Sequence, residues 1–364
     1  MRALEQEWRS IVGSGTAAVP FLQPEWVGAT ASSFWPKHSP LLITTRREGR
    51  LASVLPLVRS TRLMSRLPAK TLRGITSPHA CRSDLITAAA DRQPAAAATW
   101  ESLKDDRWWS ALVLDDVTEG AAFREVMELA KRDGFPTLRW RTRLSPYLDL
   151  PPGADPFATC PKRYRSFRNR LKGKLDKLRA HGTVEFVTEN NPPNKAIKSF
   201  FTLESSGWKG AQRSAIAHHP AALHFYEMAT AEAARHGYLK VLSLVLDGRP
   251  IATQLGLFMS GIYYTPKVAY DERFRDFSPG HLLMQYAIQD ITRVGATRFE
   301  FLGPNALWKS VWSTSLQRHD TCYIFRPSLR GRAAHAAVGK VALSLRAIRH
   351  KLWGDPQDLG HSKN

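Results

Sequence analysis

The same order of strands and helix occurs twice in this chain of 364 residues, and this repetition constrains the fold most. In the first half, a strand pair turns at Glu48-Gly49, and a later helix ends at Gly134 before a strand. In the second half, a strand pair turns at Asp247-Gly248, and the helix that follows ends at Gly295 before a strand. Hairpins and helix–Gly–strand joints are each common, but their recurrence in one order favours a tandem duplication. We therefore predict an α/β (α+β) fold of two domains, each a mixed central sheet flanked by helices.

Proline and small residues mark the joint between the two halves, in the stretch LDLPPGADPFATCP. The predicted domains are residues 1–150 and 155–328, and residues 329–364 form a basic tail. Within that tail, apolar residues recur at helical spacing among six Lys or Arg, which predicts a basic amphipathic helix. Such a helix suits an anionic membrane surface or, equally, docking on the preceding domain.

The net charge of +20 favours anionic partners, such as nucleic acid, anionic lipid or phosphorylated small molecules. The three cysteines are far apart and form no C-x-x-C motif, which argues against a disulfide framework and against a zinc site. The N-terminus has no apolar signal region, and no apolar stretch approaches the roughly 20 residues that span a bilayer. We therefore expect a cytoplasmic protein.

A basic helix is predicted between Cys160 and Gly182, where nine Lys or Arg accompany one acidic residue. Apolar residues at spacings of three or four form a single stripe along this segment, which predicts that one face packs on the domain. The opposite, basic face has two interpretations. Either Arg165 and Arg168 bind phosphates of a substrate or lipid, or the face is only solvated.

Glu204, Trp208 and Lys209 lie within six residues of each other in FFTLESSGWKG. Desolvation beside aromatic rings raises the pKa of a carboxylate, and such a group suits a general base. In this interpretation Trp208 and Lys209 contact the acceptor substrate. The alternative places Glu204 on a helix surface and Trp208 in the core.

The segment KVAYDERFRDFSPGHLL places Ser278-Pro279-Gly280 between a strand and an amphipathic helix. The free N–H groups and the dipole at a helix N-terminus bind phosphate well. Gly280 allows a ligand to approach the backbone closely, and Pro279 fixes the entry into the helix. We predict a diphosphate site that also includes the flanking Phe277 and His281. Alternatively, Ser278 is only an N-cap.

Further candidate catalytic residues stand at the ends of two predicted strands. Tyr270 and Asp271 end one strand, where a proton donor or an orienting carboxylate would meet a thioester. In FLGPNALWKSVWST, Lys309 lies between Trp308 and Trp312, where its ammonium group can support an oxyanion or a phosphate. The alternative is that the tryptophans are core residues and Lys309 is solvated.

Several common catalytic motifs are absent from the sequence. It contains no G-x-x-x-x-G-K-[ST] and no G-x-G-x-x-G, which removes support for nucleotide hydrolysis and dinucleotide redox chemistry. It contains no G-x-S-x-G elbow, and the histidines show no metal-ligand spacing. We expect no metal.

The assembled segments resemble the CelD/BcsL branch of the GNAT acyltransferase superfamily. They include PFLQPEW, EGRLASVLPL, RYRSFRNRLKGKLDKL, LESSGWKG, LDGRPIATQLGL, KVAYDERFRDFSPGHLL and GPNALWKSVW, and they are densest from Tyr164 to Trp312. The resemblance implies two GNAT-like domains in tandem, as in the Fem-type transferases, and acetyl-CoA or another acyl-CoA as co-substrate. It places the Asp271–Gly280 loop at the acyl-CoA diphosphate and Lys309 near the reaction centre. Of the family's Q/R-x-x-G-x-G/A loop, only Ser278-Pro279-Gly280 is present.

These features together predict an N-acyltransferase whose second domain carries the chemistry and whose first domain shapes the acceptor cleft. The predicted acceptor is an amino sugar, or its nucleotide- or lipid-linked form, and the resemblance implies a place in exopolysaccharide, cellulose or cell-envelope biosynthesis. Two alternatives stay open. One is a Fem-type transferase that uses aminoacyl-tRNA, for which the net charge is suggestive. The other is a non-catalytic scaffold that touches an anionic membrane or a polysaccharide synthase through the basic tail.

Overall fold

The computed structural model of the chain describes residues 2–14, 19–63, 67–157, 160–162, 164–192, 194–206, 215–313 and 315–353. The helices are α1 (Arg2–Ser14), α2 (Pro24–Phe34), α3 (Arg92–Asp105), α4 (Phe123–Arg132), α5 (Tyr164–Arg179), α6 (Asn194–Ser206), α7 (Pro220–Arg235), α8 (Pro279–Arg293) and α9 (Leu329–Trp353). The strands are β1 (Pro40–Arg47), β2 (Arg50–Leu63), β3 (Leu67–Gly74), β4 (Ile86–Thr87), β5 (Ala111–Thr118), β6 (Thr137–Asp149), β7 (Val184–Asn190), β8 (Leu239–Leu246), β9 (Arg249–Met259), β10 (Ile262–Tyr270), β11 (Arg298–Glu300) and β12 (Ser315–Phe325).

The strands of the described residues form one mixed sheet, in the order β1-β2-β3-β5-β12-β6-β11-β10-β9-β8-β7, with β4 beside β2. Neighbouring strands are antiparallel except for two parallel pairs, β3 with β5 and β10 with β11. Helices pack on this sheet through separate hydrophobic clusters. The predicted α/β fold, built from tandem units of mixed sheet and flanking helices, is confirmed.

The two halves of the chain share the middle of the sheet. Strand β12, near the end of the second half, pairs on one side with β5 and on the other with β6. Strand β6 in turn pairs with β11 of the second half. Backbone hydrogen bonds therefore join the halves, because a late strand lies between two early ones. The predicted boundaries at 1–150, 155–328 and 329–364 stay predictions.

Both predicted hairpin turns are present at their predicted positions. The turn residues Glu48 and Gly49 have φ angles of 50° and 78°, and Asp247 and Gly248 have 48° and 74°. Positive φ at both central residues defines a turn whose twist matches that of the flanking strands, and Gly and Asp tolerate it best. The residues of each turn therefore determine where the hairpin of each half reverses direction.

The correspondence of helices between the halves differs from the sequence prediction. The sequence prediction makes α4 the first-half counterpart of α8. In the structure the counterpart is α3: it lies in the chain between β3 and its parallel partner β5, as α8 lies between β10 and its parallel partner β11. Each parallel partner joins its strand over three residue pairs, Thr71–Arg73 with Ala111–Val113 and Ile262–Tyr264 with Arg298–Glu300. The alanine-rich α3 (RQPAAAATWESLKD) was overlooked because small residues give little contrast between the faces of a helix.

Two faces of the second-half sheet are covered by different helices. One face packs against α5 and α8, with Leu171, Leu178 and Leu283 buried in that cluster. The other face packs against α6, α7 and α2 of the first half, through contacts such as Trp26 against Phe225, with ring centroids 5.3 Å apart. Buried aromatic rings of this size contribute about 3–5 kcal/mol each when truncated to alanine. The first half is therefore fixed on one face of the second.

The start of α9 docks on the sheet. Ala334 and Val338 are buried in a cluster with Phe325, whereas Leu329 is 87% exposed and Val341 is 40% exposed. Docking, the second interpretation of the basic tail, therefore holds for the described side chains of this helix. Among the described residues, none of the helices combines the length and the apolar character needed to cross a bilayer.

Candidate active site

Strands β10 and β11 separate after a short parallel contact. They pair only along Ile262–Tyr264, and the pairing of β10 with β9 shifts register between Tyr264 and Lys267. On the β11 side, Leu302 and Gly303 have φ angles of 52° and 59°, so the chain turns away from β10. Diverging strands leave backbone donors and acceptors that do not bond each other, and these groups can bind a ligand chain.

A cavity of about 290 Å³ lies where these strands separate. One wall comes from β10 residues around Lys267, and the facing wall comes from the segment after β11 that includes Lys309. The first half closes the cavity with a loop containing His79 and Cys81 and with Arg143 of β6. The volume and the convergence of polar groups are those of a small-molecule site.

The cavity is lined by residues from both faces of the sheet. Tyr226, Cys81 and Leu302 belong to the cluster with α6 and α7, whereas Phe301 belongs to the cluster that includes α8. Trp308, also in the cavity wall, lies with its ring centroid 6.3 Å from that of His281 on α8. The start of α8 and the cavity therefore adjoin at the strand separation.

Lys309 is a buried amine in the cavity wall. Its side chain is 7% exposed, and its Nζ donates hydrogen bonds to the carbonyl oxygens of Leu302 and Pro304. Burial is the first cause that lowers the pKa of Lys309 to about 8. The alternative of a solvated Lys309 is therefore wrong, and the group can donate a hydrogen bond in a site of low dielectric.

The two predicted tryptophans on either side of Lys309 differ in their environment. Trp312 is fully buried and packs against Phe167, with centroids 5.6 Å apart. Trp308 is 43% exposed, lines the cavity, and lies with its ring 5.2 Å from the Lys309 Nζ. The core interpretation therefore holds for Trp312 only, and Trp308 is available to a ligand.

Glu204 is buried beside the cavity on α6. Its side chain is 3% exposed, and its Oε2 accepts a hydrogen bond of 2.9 Å from the Ile216 N–H. It interacts electrostatically with His79, a cavity residue whose pKa is lowered to about 4, mainly by burial. The Nδ1 of His79 is 3.3 Å from the Tyr226 hydroxyl. The alternative that placed Glu204 on a helix surface is therefore wrong. Trp208 and Lys209 lie outside the described residues.

The sequence predicts a diphosphate site at the N-terminus of α8. Helix α8 begins at Pro279, and Ser278 precedes it with a φ of 53°. The Ser278 side chain does not cap the helix; its Oγ instead accepts a hydrogen bond of 2.6 Å from the Lys174 Nζ of α5. Two positive groups, the helix N-terminus and the Lys174 ammonium, thus converge on one point, which an anion would stabilise.

The residues beside Ser278 complete this end of α8. A methyl group added at Gly280 would lie 3.5 Å from the Tyr270 Cδ1, so the backbone there has ordinary space beside it. His281 packs edge-on against Phe167, and burial lowers its pKa to about 4. Phe277 contacts the His181 ring at a centroid distance of 5.0 Å. The neutral imidazole of His281 adds no charge to the site.

Tyr270 is the last residue of β10, and Asp271 follows it at the start of the loop that leads to α8. Asp271 caps the 3₁₀ helix Glu272–Phe277, and its carboxylate is bound by the Arg273 side chain. This hydrogen bond is the first cause that lowers the pKa of Asp271. Tyr270 is half-buried, and burial raises its pKa, so it retains its proton at neutral pH. Neither residue is among those found in the cavity wall.

The basic helix α5 lies beside the same end of α8. Its apolar stripe is buried as predicted, and Arg165 and Arg168 are exposed near its start. Lys174, a residue that the sequence prediction did not name, donates the described hydrogen bond that joins α5 to the α8 loop. Two features predicted separately, a basic helix and a phosphate loop, are therefore adjacent.

Of the cavity residues, sequence reasoning identified Trp308 and Lys309 and missed the others, among them His79, Cys81, Arg143 and Lys267. Arg143 donates to the Cys81 carbonyl oxygen at 3.2 Å and forms an ion pair with Asp116, also at 3.2 Å. The four come from a loop and from strands far apart in the chain, so no local spacing joins them. Only Lys267 had a signal, because it lies three residues before Tyr270 on the strand that leads to the α8 loop.

Among the described residues, no cluster of three or more His, Cys, Asp or Glu side chains is arranged to hold a metal ion. A family model, described as Acetyltransferase (GNAT) domain, matches residues 165–310. The match spans most of α5, the strand separation, the α8 loop and Lys309. The chain therefore contains a GNAT acetyltransferase domain, and domains of this class generally use acyl-CoA.

Solved structures share the fold over nearly the whole chain. FemX has a TM-score of 0.61 and 15% identity, and the alignment covers 88% of this chain and 96% of FemX. A conserved protein of unknown function from Bacteroides thetaiotaomicron VPI-5482 has a TM-score of 0.58 and 10% identity, with coverage of 90% and 98%. A search of curated proteins found no match. The matched domain supports an acyltransferase, and the solved structures show the fold; the narrower CelD/BcsL resemblance stays a prediction.

Proposed function

We propose that this protein is an acetyl-CoA-dependent N-acyltransferase whose acceptor is an amino sugar or a nucleotide- or lipid-linked precursor of an envelope polysaccharide. The observation that carries the proposal is the arrangement around the separated strands. The N-terminus of α8, with the Lys174 ammonium beside it, adjoins a polar cavity that holds Lys309. We place the enzyme in the cytoplasm, where acetyl-CoA is available.

The donor end of the proposed site is the start of α8. First-turn N–H groups such as that of Gly280 lack a helical acceptor, and the helix dipole adds positive potential. Lys174 brings an ammonium group to the same point through its 2.6 Å bond to Ser278. These groups fit the diphosphate of CoA, and the amides of its pantetheine arm fit the backbone groups exposed between β10 and β11. Arg165 and Arg168 are proposed to contact further phosphates.

The proposed reaction is direct transfer in the strand separation. The acceptor amine attacks the thioester carbonyl carbon, a C–N bond forms, and the carbonyl oxygen becomes an oxyanion. Collapse of this intermediate breaks the C–S bond and releases CoA as a thiolate. The nitrogen loses one proton and the thiolate gains one, so the products are an amide and CoA with a free thiol. Positioning supplies much of the rate, because the two reactants become effectively unimolecular.

Each proposed role follows from the chemistry of the residue. The Lys309 ammonium donates to the oxyanion, which a buried donor stabilises strongly. Tyr270 protonates the leaving thiolate from the donor side. Glu204 takes the amine proton, directly or through water, because Asp271 is already bound by Arg273.

The acceptor side has fewer described residues. Trp308 is proposed to cover the acceptor, since its ring is partly exposed at the cavity. Trp208 and Lys209 are proposed as further acceptor contacts on the basis of sequence alone. In this proposal the first half of the chain shapes the acceptor cleft, through the loop that contains His79 and through Arg143.

Calorimetric titration with acetyl-CoA tests the donor site. The wild-type protein is expected to bind acetyl-CoA saturably, and Gly280→Asp is expected to weaken binding about 30- to 100-fold, because a carboxylate would face the diphosphate. Gly280→Ala is the matched control, since the space beside Gly280 accepts a methyl group. Thermal unfolding of all three shows that the fold is kept. Equal binding by Gly280→Asp would place the diphosphate elsewhere.

A Fem-type reaction with aminoacyl-tRNA is the second candidate, and the exposed basic face of α5 favours it. It predicts RNA binding that weakens steeply with salt and no saturable binding of acetyl-CoA. The same titration, repeated with tRNA at two salt concentrations, separates the candidates. A protein that binds neither ligand fits the non-catalytic scaffold.

A further inference from the structure

The wall of the cavity is cationic. Arg143, Lys267 and Lys309 reach it from three different elements: β6, β10 and the segment after β11. None of the described residues that line it is acidic. Side chains from separate elements rarely bring like charges into one small cavity, because their mutual repulsion destabilises the fold. A ligand that brings negative charge would offset this cost.

Arg143 is held by two neighbouring groups and has one nitrogen that is unpaired among the described residues. Its guanidinium forms an ion pair with Asp116 and donates to the Cys81 carbonyl oxygen, both at 3.2 Å. Its Nε is buried and makes no hydrogen bond within the described part of the chain. A buried donor without an acceptor costs about 1–3 kcal/mol, and an acceptor oxygen from a ligand would remove that cost.

Lys267 and Lys309 both contact groups in the cavity wall. The Lys267 ammonium lies 5.7 Å from the centre of the Tyr226 ring, and Lys309 donates to two backbone carbonyl oxygens. The positive charge of Lys267 acts on the cavity, because it is one of the causes that lower the pKa of the cavity residue His79. Lys267 therefore contributes to the electrostatic potential that an entering acceptor meets.

This potential acts on the acceptor in two ways. It disfavours a protonated amine, so the acceptor enters as the free base, the form that attacks a thioester. It also disfavours an acceptor whose only charged group is an amine. A nearby anionic group on the same molecule would reverse this penalty and fix the orientation of the amine.

We propose that the acceptor carries an anionic group, a carboxylate or a phosphate, close to its reacting amine, and that Arg143 and Lys267 bind this group. The inference rests on the proposed N-acyltransferase function and narrows its substrate class. An amino acid unit or a phosphorylated amino sugar meets the requirement. A polyamine or an unmodified amino sugar does not.

Two pairs of amines that differ by one anionic group test the proposal. Lysine is compared with cadaverine, and glucosamine 6-phosphate with glucosamine, by the rate of CoA thiol release from acetyl-CoA. We expect kcat/KM to favour the anionic member by about tenfold or more in at least one pair. The pair that shows the preference distinguishes a carboxylate from a phosphate. Binding of all four compounds to the CoA-loaded protein is measured by calorimetry in parallel.

Variants assign the preference to the cavity. Lys267→Met is expected to reduce the kcat/KM preference for the anionic amine to below about threefold. The same reduction is expected of Arg143→Gln, which tests the second cation independently. Lys131→Met, on the exposed surface of α4, removes the same charge elsewhere and should leave the preference unchanged. Thermal unfolding confirms that each variant folds.

The outcomes separate the two proposals. Transfer at equal rates within both pairs, or a preference that survives both cavity variants, overturns the anionic acceptor and leaves the N-acyltransferase intact. Failure of both anionic compounds to bind the CoA-loaded protein also overturns it. Absence of acetyl-CoA binding overturns the proposed function itself.

Discussion

Lys309→Met tests the account of the buried amine at the cavity. The pKa of the lysine falls from 10.5 to about 8, chiefly through burial, which corresponds to about 3 kcal/mol of penalty on the charged form. Methionine removes this penalty but leaves the carbonyl oxygens of Leu302 and Pro304 without their donor, at a cost of about 1–3 kcal/mol. At pH 7 the variant is therefore expected to be as stable as the wild type or up to about 2 kcal/mol more stable.

The pH dependence distinguishes this account from a simple packing effect. The folded-state pKa of Lys309 lies below its unfolded value, so the unfolded chain binds more protons between pH 8 and pH 10.5. The free energy of unfolding of the wild type must then rise with pH in this window, relative to the variant. Between pH 7 and pH 9.5 the expected gain is about 2 kcal/mol.

Urea unfolding at these two pH values measures the gain, with Lys131→Met as a matched control at an exposed site. A difference between wild type and Lys309→Met that does not change with pH would refute the burial argument. Acyl transfer is measured on the same samples. We expect Lys309→Met to lose about 100-fold or more in kcat while its stability is kept, which is typical of an oxyanion donor.

Three further outcomes follow from the site and the tail. Lys174→Met should weaken acetyl-CoA binding about tenfold without affecting the fold, and calorimetry with inorganic diphosphate as competitor checks this. Glu204→Gln keeps an oxygen for the Ile216 N–H, so we expect a normal unfolding temperature with kcat lowered at least tenfold; unchanged kcat would remove Glu204 from the mechanism. Deletion of residues 342–364 leaves the docked Val338 in place, so we expect the deletion and the full chain to pellet equally with anionic vesicles; pelleting of the full chain alone would support a membrane anchor instead.

Features with a local cause were predictable from the sequence. The turn at Asp247-Gly248 needs two residues with positive φ, and the start of α8 at Pro279 needs a ring that fits the first helical position. The burial of Leu171 and Leu178 on α5 follows from their spacing. In these cases a few consecutive residues determine the outcome.

Features with a non-local cause were not predictable. Strand β12 pairs with β5 and β6, strands of the first half, and nothing in its own residues specifies those partners. The cavity joins His79, Arg143 and Lys267 only because the sheet brings β6 and β10 to either side of β11. The burial of Lys309 likewise depends on the walls of this cavity, so its sequence context left both a solvated and a buried lysine open.

The most direct test of the central claim is acetyl transfer itself, followed by mass spectrometry of the amine and by measurement of free CoA thiol. With acetyl-CoA and an amine that carries an anionic group, the account predicts acetylated amine and free CoA in equal amounts. It also predicts that both products disappear in Gly280→Asp and persist in Gly280→Ala. Thiol release without acetylated amine, or equal transfer by wild type and Gly280→Asp, would contradict it.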